Sequence, residues 1–166
     1  MTKYKDDEFH QIIKPLLDNS NFGDTKNIKH HGITRYDHSM RVAYFSYKIT
    51  KFLKLDYKET TEAALLHDFF TEEVDGKNKV AKLRQHPEHA VNNAKKYFEL
   101  SDKQEDIIRT HMFPVTFTPP KYLESWIVDL VDDVSAIYEQ ATVTSKKLKT
   151  AITLFIILGI NYIKMR

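Results

Sequence analysis

No stretch of this chain alternates apolar and polar residues for long; its apolar residues recur three and four positions apart. That spacing belongs to helices with one buried face and makes an all-α domain the economical reading. Residues 6–18 set Phe9, Ile12, Ile13, Leu16 and Leu17 on one side. A second helix runs from an Asp37 N-cap to about Leu53, with Val42, Phe45, Ile49, Phe52 and Leu53 on one stripe. A third, capped by Asp56, ends in Ala63-Ala64-Leu65-Leu66-His67-Asp68. Pro87 suits the first turn of a helix opening near His86 and passing through Ala90, Val91 and Ala94. Ser101, with Glu105 nearby, starts a short helix through Ile107 and Ile108 to His111. Two more are expected, over 122–142 with Ile127, Leu130, Val131, Val134, Ile137 and Tyr138 on its main stripe, and over 144–163. Residues 19–36, 71–85 and 113–120 read as loops, the second exposed and able to close over a site. With only 4 Gly and 5 Pro in 166 residues, little interrupts long helices. The expectation is a compact all-α bundle of about six to eight helices, with residues 1–166 forming one domain.

Charge and composition narrow the partners. The formal net charge is +2, too small to argue for nucleic acid. The chain has no cysteine, which excludes disulfides and thiolate metal sites. The N-terminal MTKYKDDEFHQIIK has no apolar signal core. The one long apolar stretch, Ala151 to Ile163, contains Thr153, Gly159 and Asn161 and is shorter than the ~20 residues of a membrane span. A buried C-terminal helix is expected there, in a cytoplasmic protein without a membrane partner.

The chemistry sits on polar residues in otherwise apolar helices. His38, His67-Asp68, His86, His111 and one of Asp129, Asp132 and Asp133 fall on five consecutive helices. Imidazole with carboxylate is the ligand set for Zn, Mn, Fe or Mg. Adjacent helical residues diverge by about 100°, so His67 and Asp68 approach a shared centre from different sides, and Asp68 is able to bridge two ions. Asp132 has Val128 and Ala136 one turn away, so it lies on a small apolar strip where a carboxylate needs a counter-charge. Asp129 and Asp133 neighbour each other on a wetter face, with Asp133 the next choice.

Other polar residues have blander readings. His10 belongs to the surface, His30 and His31 to a loop or pocket wall, and His89 is second choice to His86. Arg41 either stabilises a phosphate or pairs with Asp68 or another carboxylate. Lys77, Lys79, Lys82 and Arg84 read as a solvated face placed where a phosphate clamp is feasible. Glu72 and Glu73 read as exposed loop, and Phe69-Phe70 as core or pocket lining.

His38 in YDHSMRVA, His67-Asp68 in ALLHDFF and a late Asp in IVDLVDD resemble, in that order, the motifs of the HD-domain metal-dependent phosphohydrolases. His86 in RQHPEHA and His111 in IIRTHM resemble the extra ligands of subgroups that hold two metals. The flanking phrases HHGITRYDHSMRVAYFSYK and HMFPVTFTPPKYLESWIVDLVDD look like those of small bacterial single-domain members. The resemblance implies one or two divalent ions (Fe, Mn, Zn or Mg) held by His38, His67, Asp68, His86, His111 and Asp132. In the two-ion form Asp68 bridges, with His38, His67 and Asp132 on one ion and His86 and His111 on the other. In the one-ion form His86 and His111 bind substrate. Asp68 and Arg41 are the catalytic candidates. The implied reaction is hydrolysis of a phosphate ester or anhydride of a small molecule, a nucleotide by family inference, with Tyr36, Phe70 and Phe113 able to stack on a base. The alternatives are a non-catalytic metal- and nucleotide-binding regulatory module, and a helical domain whose histidines are only structural.

Overall fold

The computed structural model describes residues 4–30, 32–71 and 77–164. Most helices start where a short polar side chain takes an orphan backbone N–H. Asp6 caps α1 (Asp7–Leu17), Asn19 caps α2 (Ser20–Gly23) and Thr34 caps α3 (Arg35–Phe52). Asp56 caps α4 (Tyr57–Leu66), Asn78 caps α5 (Lys79–Ala94), and Ser101 with Gln104 forms a capping box on α6 (Asp102–Thr110). The last helix, α7, runs from Leu123 to Lys164, 42 residues. Between α2 and α3 lie a 3-10 turn (Asp24–Asn27) and a two-residue antiparallel pair, β1 (Lys29–His30) with β2 (Ile33–Thr34). The fold is all-α, with this small pair as its strand content among the described residues.

Tyr47, Phe9, Phe22, Phe69, Ile13, Leu65, Leu66, Ile107 and Ile108 are fully enclosed in the core. Alanines 43, 63 and 64 are also at zero exposure, and such small side chains let helix backbones approach closely. α3 packs on α4 and α7, and α4 also packs on α6. That arrangement places the start of α3, the ends of α4 and α6 and the first third of α7 around one centre.

Several sequence expectations change. α3 is capped by Thr34 rather than Asp37, because the Thr34 hydroxyl accepts the Asp37 N–H while donating to the Asp37 carboxylate. α5 begins at Lys79, so residues 79–85 are helical and Pro87 lies within the helix. The expected helices at 122–142 and 144–163 are one continuous helix, since no Gly or Pro separates them. On α7 the expected stripe is turned around: Val131 is buried, but Leu130, Val134, Ile137 and Tyr138 are exposed. On α3, Val42 is buried while Phe45, Ile49, Phe52 and Leu53 are exposed. No helix among the described residues is long and apolar enough to cross a membrane. Burial of Ala151–Ile163 and the roles read for His31, Glu72 and Glu73 lie outside the described residues.

Candidate metal centre

α4 and α6 each end on a histidine. His67 is the C-cap of α4 and His111 that of α6. In each, Nδ1 lies against a carbonyl of the last turn, Ala64 O at 2.8 Å and Ile108 O at 2.6 Å. A carbonyl only accepts, so Nδ1 carries the proton and Nε2 presents its lone pair away from the helix. Both imidazoles thereby satisfy orphan carbonyls and turn an electron pair into the cluster.

His38 reaches the centre from α3. Its Nε2 lies 2.7 Å from Asp132 Oδ1 on α7, and its Nδ1 lies 3.0 Å from Glu139 Oε2, two helical turns further along. Glu139 is also ion-paired with Arg41. His67 Nε2 is 3.6 Å from the same Asp132 oxygen. On the other side, His86 and His111 place Nε2 at 3.5 and 3.8 Å from Asp68 Oδ1 and 2.7 Å from each other. All four imidazoles therefore converge through Nε2 on two carboxylates.

Three groups of potential ligand atoms result: His38, His67 and Asp68; His67, His111 and Asp132; Asp68, His86 and His111. Within each group the atoms lie within 4.8 Å of one another. Asp68 belongs to groups on both sides, the position a bridging carboxylate needs. A cation fits this donor set on a specific observation: His67 Nε2 is buried and makes no hydrogen bond. Such an orphan is costly unless an electron-pair acceptor stands before it. The carbonyl-rich C-termini of α4 and α6 add negative potential at the same point.

The electrostatics divide the centre. Burial alone disfavours charge on His38, but hydrogen bonds to Asp132 and Glu139 outweigh it and hold its pKa at about 10. Burial likewise opposes charge on His67, and Asp132 beside it raises the pKa. Burial depresses His111 to about 3, helped by repulsion from His86 and His67. His86 is lowered chiefly by burial. Burial pushes Asp132 up, yet His67 and His38 carry it well below the usual carboxylate range. Burial, with Asp133 adding, pushes Asp129 up to about 7.

The sequence candidates thus meet in one place: His38, His67, Asp68, His86, His111 and Asp132. Asp129 is buried but turned to the Phe113 N–H at 3.2 Å, and Asp133 is exposed. His89 sits apart from the cluster in a small cavity with Phe70, Asn92 and Asn93. His10 Nε2 meets the Tyr4 carbonyl. Arg84 donates to the Val115 carbonyl. Arg41 pairs with Glu139 rather than Asp68, and its guanidinium lies over the Tyr138 ring.

Two residues were not anticipated. Glu139 lies seven residues after Asp132, two turns along the same face, and that spacing is a signal the sequence carries. Arg35 sits at the start of α3, its Nε 3.9 Å from Asp68 Oδ2 and its guanidinium 3.9 Å above the Phe70 ring. It donates to the Phe70 carbonyl, while its buried Nε makes no hydrogen bond. Next to Glu139 opens a cavity of about 610 Å³, lined also by Arg41, Tyr138, Lys146 and Lys147; none of His38, His67, Asp68, His86, His111 and Asp132 lines it.

The HD domain family model matches residues 35–137, more than half of the chain. No curated protein and no solved structure gives a match.

Proposed function

Since the chain belongs to the HD-domain family of metal-dependent phosphohydrolases, we propose that it hydrolyses a phosphate ester or anhydride of a small molecule, a nucleotide being the preferred class. The observation that carries the reading is the convergence of four Nε2 atoms and two carboxylates on one buried centre. His38, His67, Asp68 and Asp132 would hold one divalent ion, and Asp68, His86 and His111 a second. When bound, such ions supply Lewis-acid charge and lower the pKa of water.

The chain's own groups do the rest. The Ala64 and Ile108 carbonyls fix the tautomers of His67 and His111, and Glu139 fixes that of His38. Arg35 steadies Asp68 with its charge. Arg41 acts through Glu139, holding its carboxylate against His38. Arg41, Lys146 and Lys147 line the cavity beside the centre and give an anionic substrate a basic approach. Phe70 is buried beneath Arg35, which leaves half-buried Tyr36 at the head of α3 as the aromatic to stack on a base.

The test has two parts. Metal analysis of purified protein should find bound Fe, Mn or Zn, and the loaded protein should release phosphate from at least one member of a nucleotide panel. Metal with tight nucleotide binding but no phosphate release under Mn, Fe, Mg and Zn would replace hydrolysis with a binding role. Absence of metal, with no stabilisation on adding it, would remove the metal centre itself.

A further inference from the structure

α7 has two unlike faces. Ser125, Val128, Asp132, Ser135 and Glu139 are buried along one of them. At about 100° per residue, Leu123, Trp126, Leu130, Val134, Ile137 and Tyr138 fall on the opposite side, and each is 43–69% exposed. Their spacing of three and four makes this a continuous seam. The Arg41 guanidinium, 5.4 Å from the Tyr138 ring centre, sets α3 along one flank of the seam. There α3 adds Phe45, Ile49, Leu53 and the 83%-exposed Phe52.

The size of this surface decides what it fits. With roughly 150–250 Å² for each aromatic side chain and somewhat less for each aliphatic one, the exposed fractions come to roughly 900 Å². The largest apolar patch on a typical monomer is about 300–600 Å². Each partner in a standard stable interface buries about 800 Å². The seam also repeats along a single helix, so it is complementary to itself about a two-fold axis.

We propose that this face is a homodimer interface in which the α7 seams of two copies pack against each other about a two-fold axis. The face of α7 bearing Asp132 and Glu139 stays turned into its own subunit, and the dimer leaves the metal centre uncovered.

The full chain should be a dimer by light scattering and sedimentation from about 1 to 100 µM. Ile137→Lys and Leu130→Lys should each raise the dimer dissociation constant at least about 100-fold, since the charge enters the contact twice. Unchanged circular dichroism and metal content in these variants would show that only association was lost. Because the chain lacks cysteine, Leu130→Cys, at the middle of the seam, should form a disulfide-linked dimer on mild oxidation, and Lys58→Cys, exposed on α4, should not. The proposal is overturned by a monomer over the whole range, including a monomer that sediments with phosphatidylcholine–phosphatidylserine vesicles. It is equally overturned by a dimer that survives both lysine substitutions. Failure of Leu130→Cys to link, or equal linkage of Lys58→Cys, would overturn it as well.

Discussion

His38 and His111 are both completely buried imidazoles of one cluster, yet their surroundings favour opposite charge states. His38 stands between Asp132 and Glu139 and is held protonated, with a pKa of about 10. His111 has a carbonyl on one nitrogen and other imidazoles around it, and its pKa falls to about 3. Burial pushes both the same way, so the difference comes from the partners alone. A buried cluster can hold several imidazoles only if carboxylates balance some of them, and here the carboxylates gather on the His38 side, with Asp68 shared between the two.

Removing the shared member should erase the comparison. Asp68→Ala is expected to lose metal from both sides and abolish phosphate release, measured by metal analysis and a phosphate assay. His111→Ala should take away only the ion on its own side, leaving about half the metal; an unchanged metal count would reduce the centre to one ion. Asp68→Ala with full metal and full activity would place the centre elsewhere.

Glu139 tests the His38 half more gently. Glu139→Gln keeps the shape but removes the carboxylate that fixes the His38 tautomer. Loss of such a partner costs about 10–100-fold in metal affinity, readable by metal titration of chelated protein. The apo melting temperature at pH 6 should also fall, because protonated His38 loses a counter-charge. An unaltered metal affinity would show that Asp132 alone orients His38.

The two halves should also give metal-free protein opposite pH slopes. The folded pKa of His38 lies above its ordinary value of 6.5, so its stabilisation is full below about 6.5 and is lost as pH rises toward about 10. His111 lies below that value, so its contribution is intact above about 6.5 and is lost as pH falls toward about 3. Melting curves across pH should show both limbs, and His38→Gln should flatten the alkaline one only. The smallest effect belongs to a carboxylate outside both halves. Asp129, held up to about 7, favours folding while protonated and loses that contribution as pH rises through 7. Asp129→Asn should raise the melting temperature at pH 8 and leave it unchanged near pH 4.

The same pair shows what was legible in the sequence. His38, His67-Asp68, His86, His111 and Asp132 stand on successive helical segments, and the structure brings them together. Their order along successive helices was the readable signal, since each of these side chains is costly to bury without a partner. Glu139 and Arg35 were harder to see. Glu139 looks like one more charge on a polar stretch until its two-turn spacing from Asp132 is noticed, and Arg35 precedes the helix expected to start at Asp37. The turned face of α7 was not legible at all. Periodicity identifies an apolar stripe, but it does not say whether the subunit's own core covers it. Here the buried face is the polar one, because Asp132 and Glu139 have partners only inside.

The placement of His67 and His111 at helix ends has a further consequence. Each ring is tied to its own backbone at Nδ1 and enclosed by the core, so neither can swing to follow an ion of another size. Two walls of the centre are rigid, and adaptation falls to His86, the most exposed of the four imidazoles. Discrimination among divalent ions would then rest on the distance between two fixed lone pairs, set when α4 and α6 pack together and before any ion arrives.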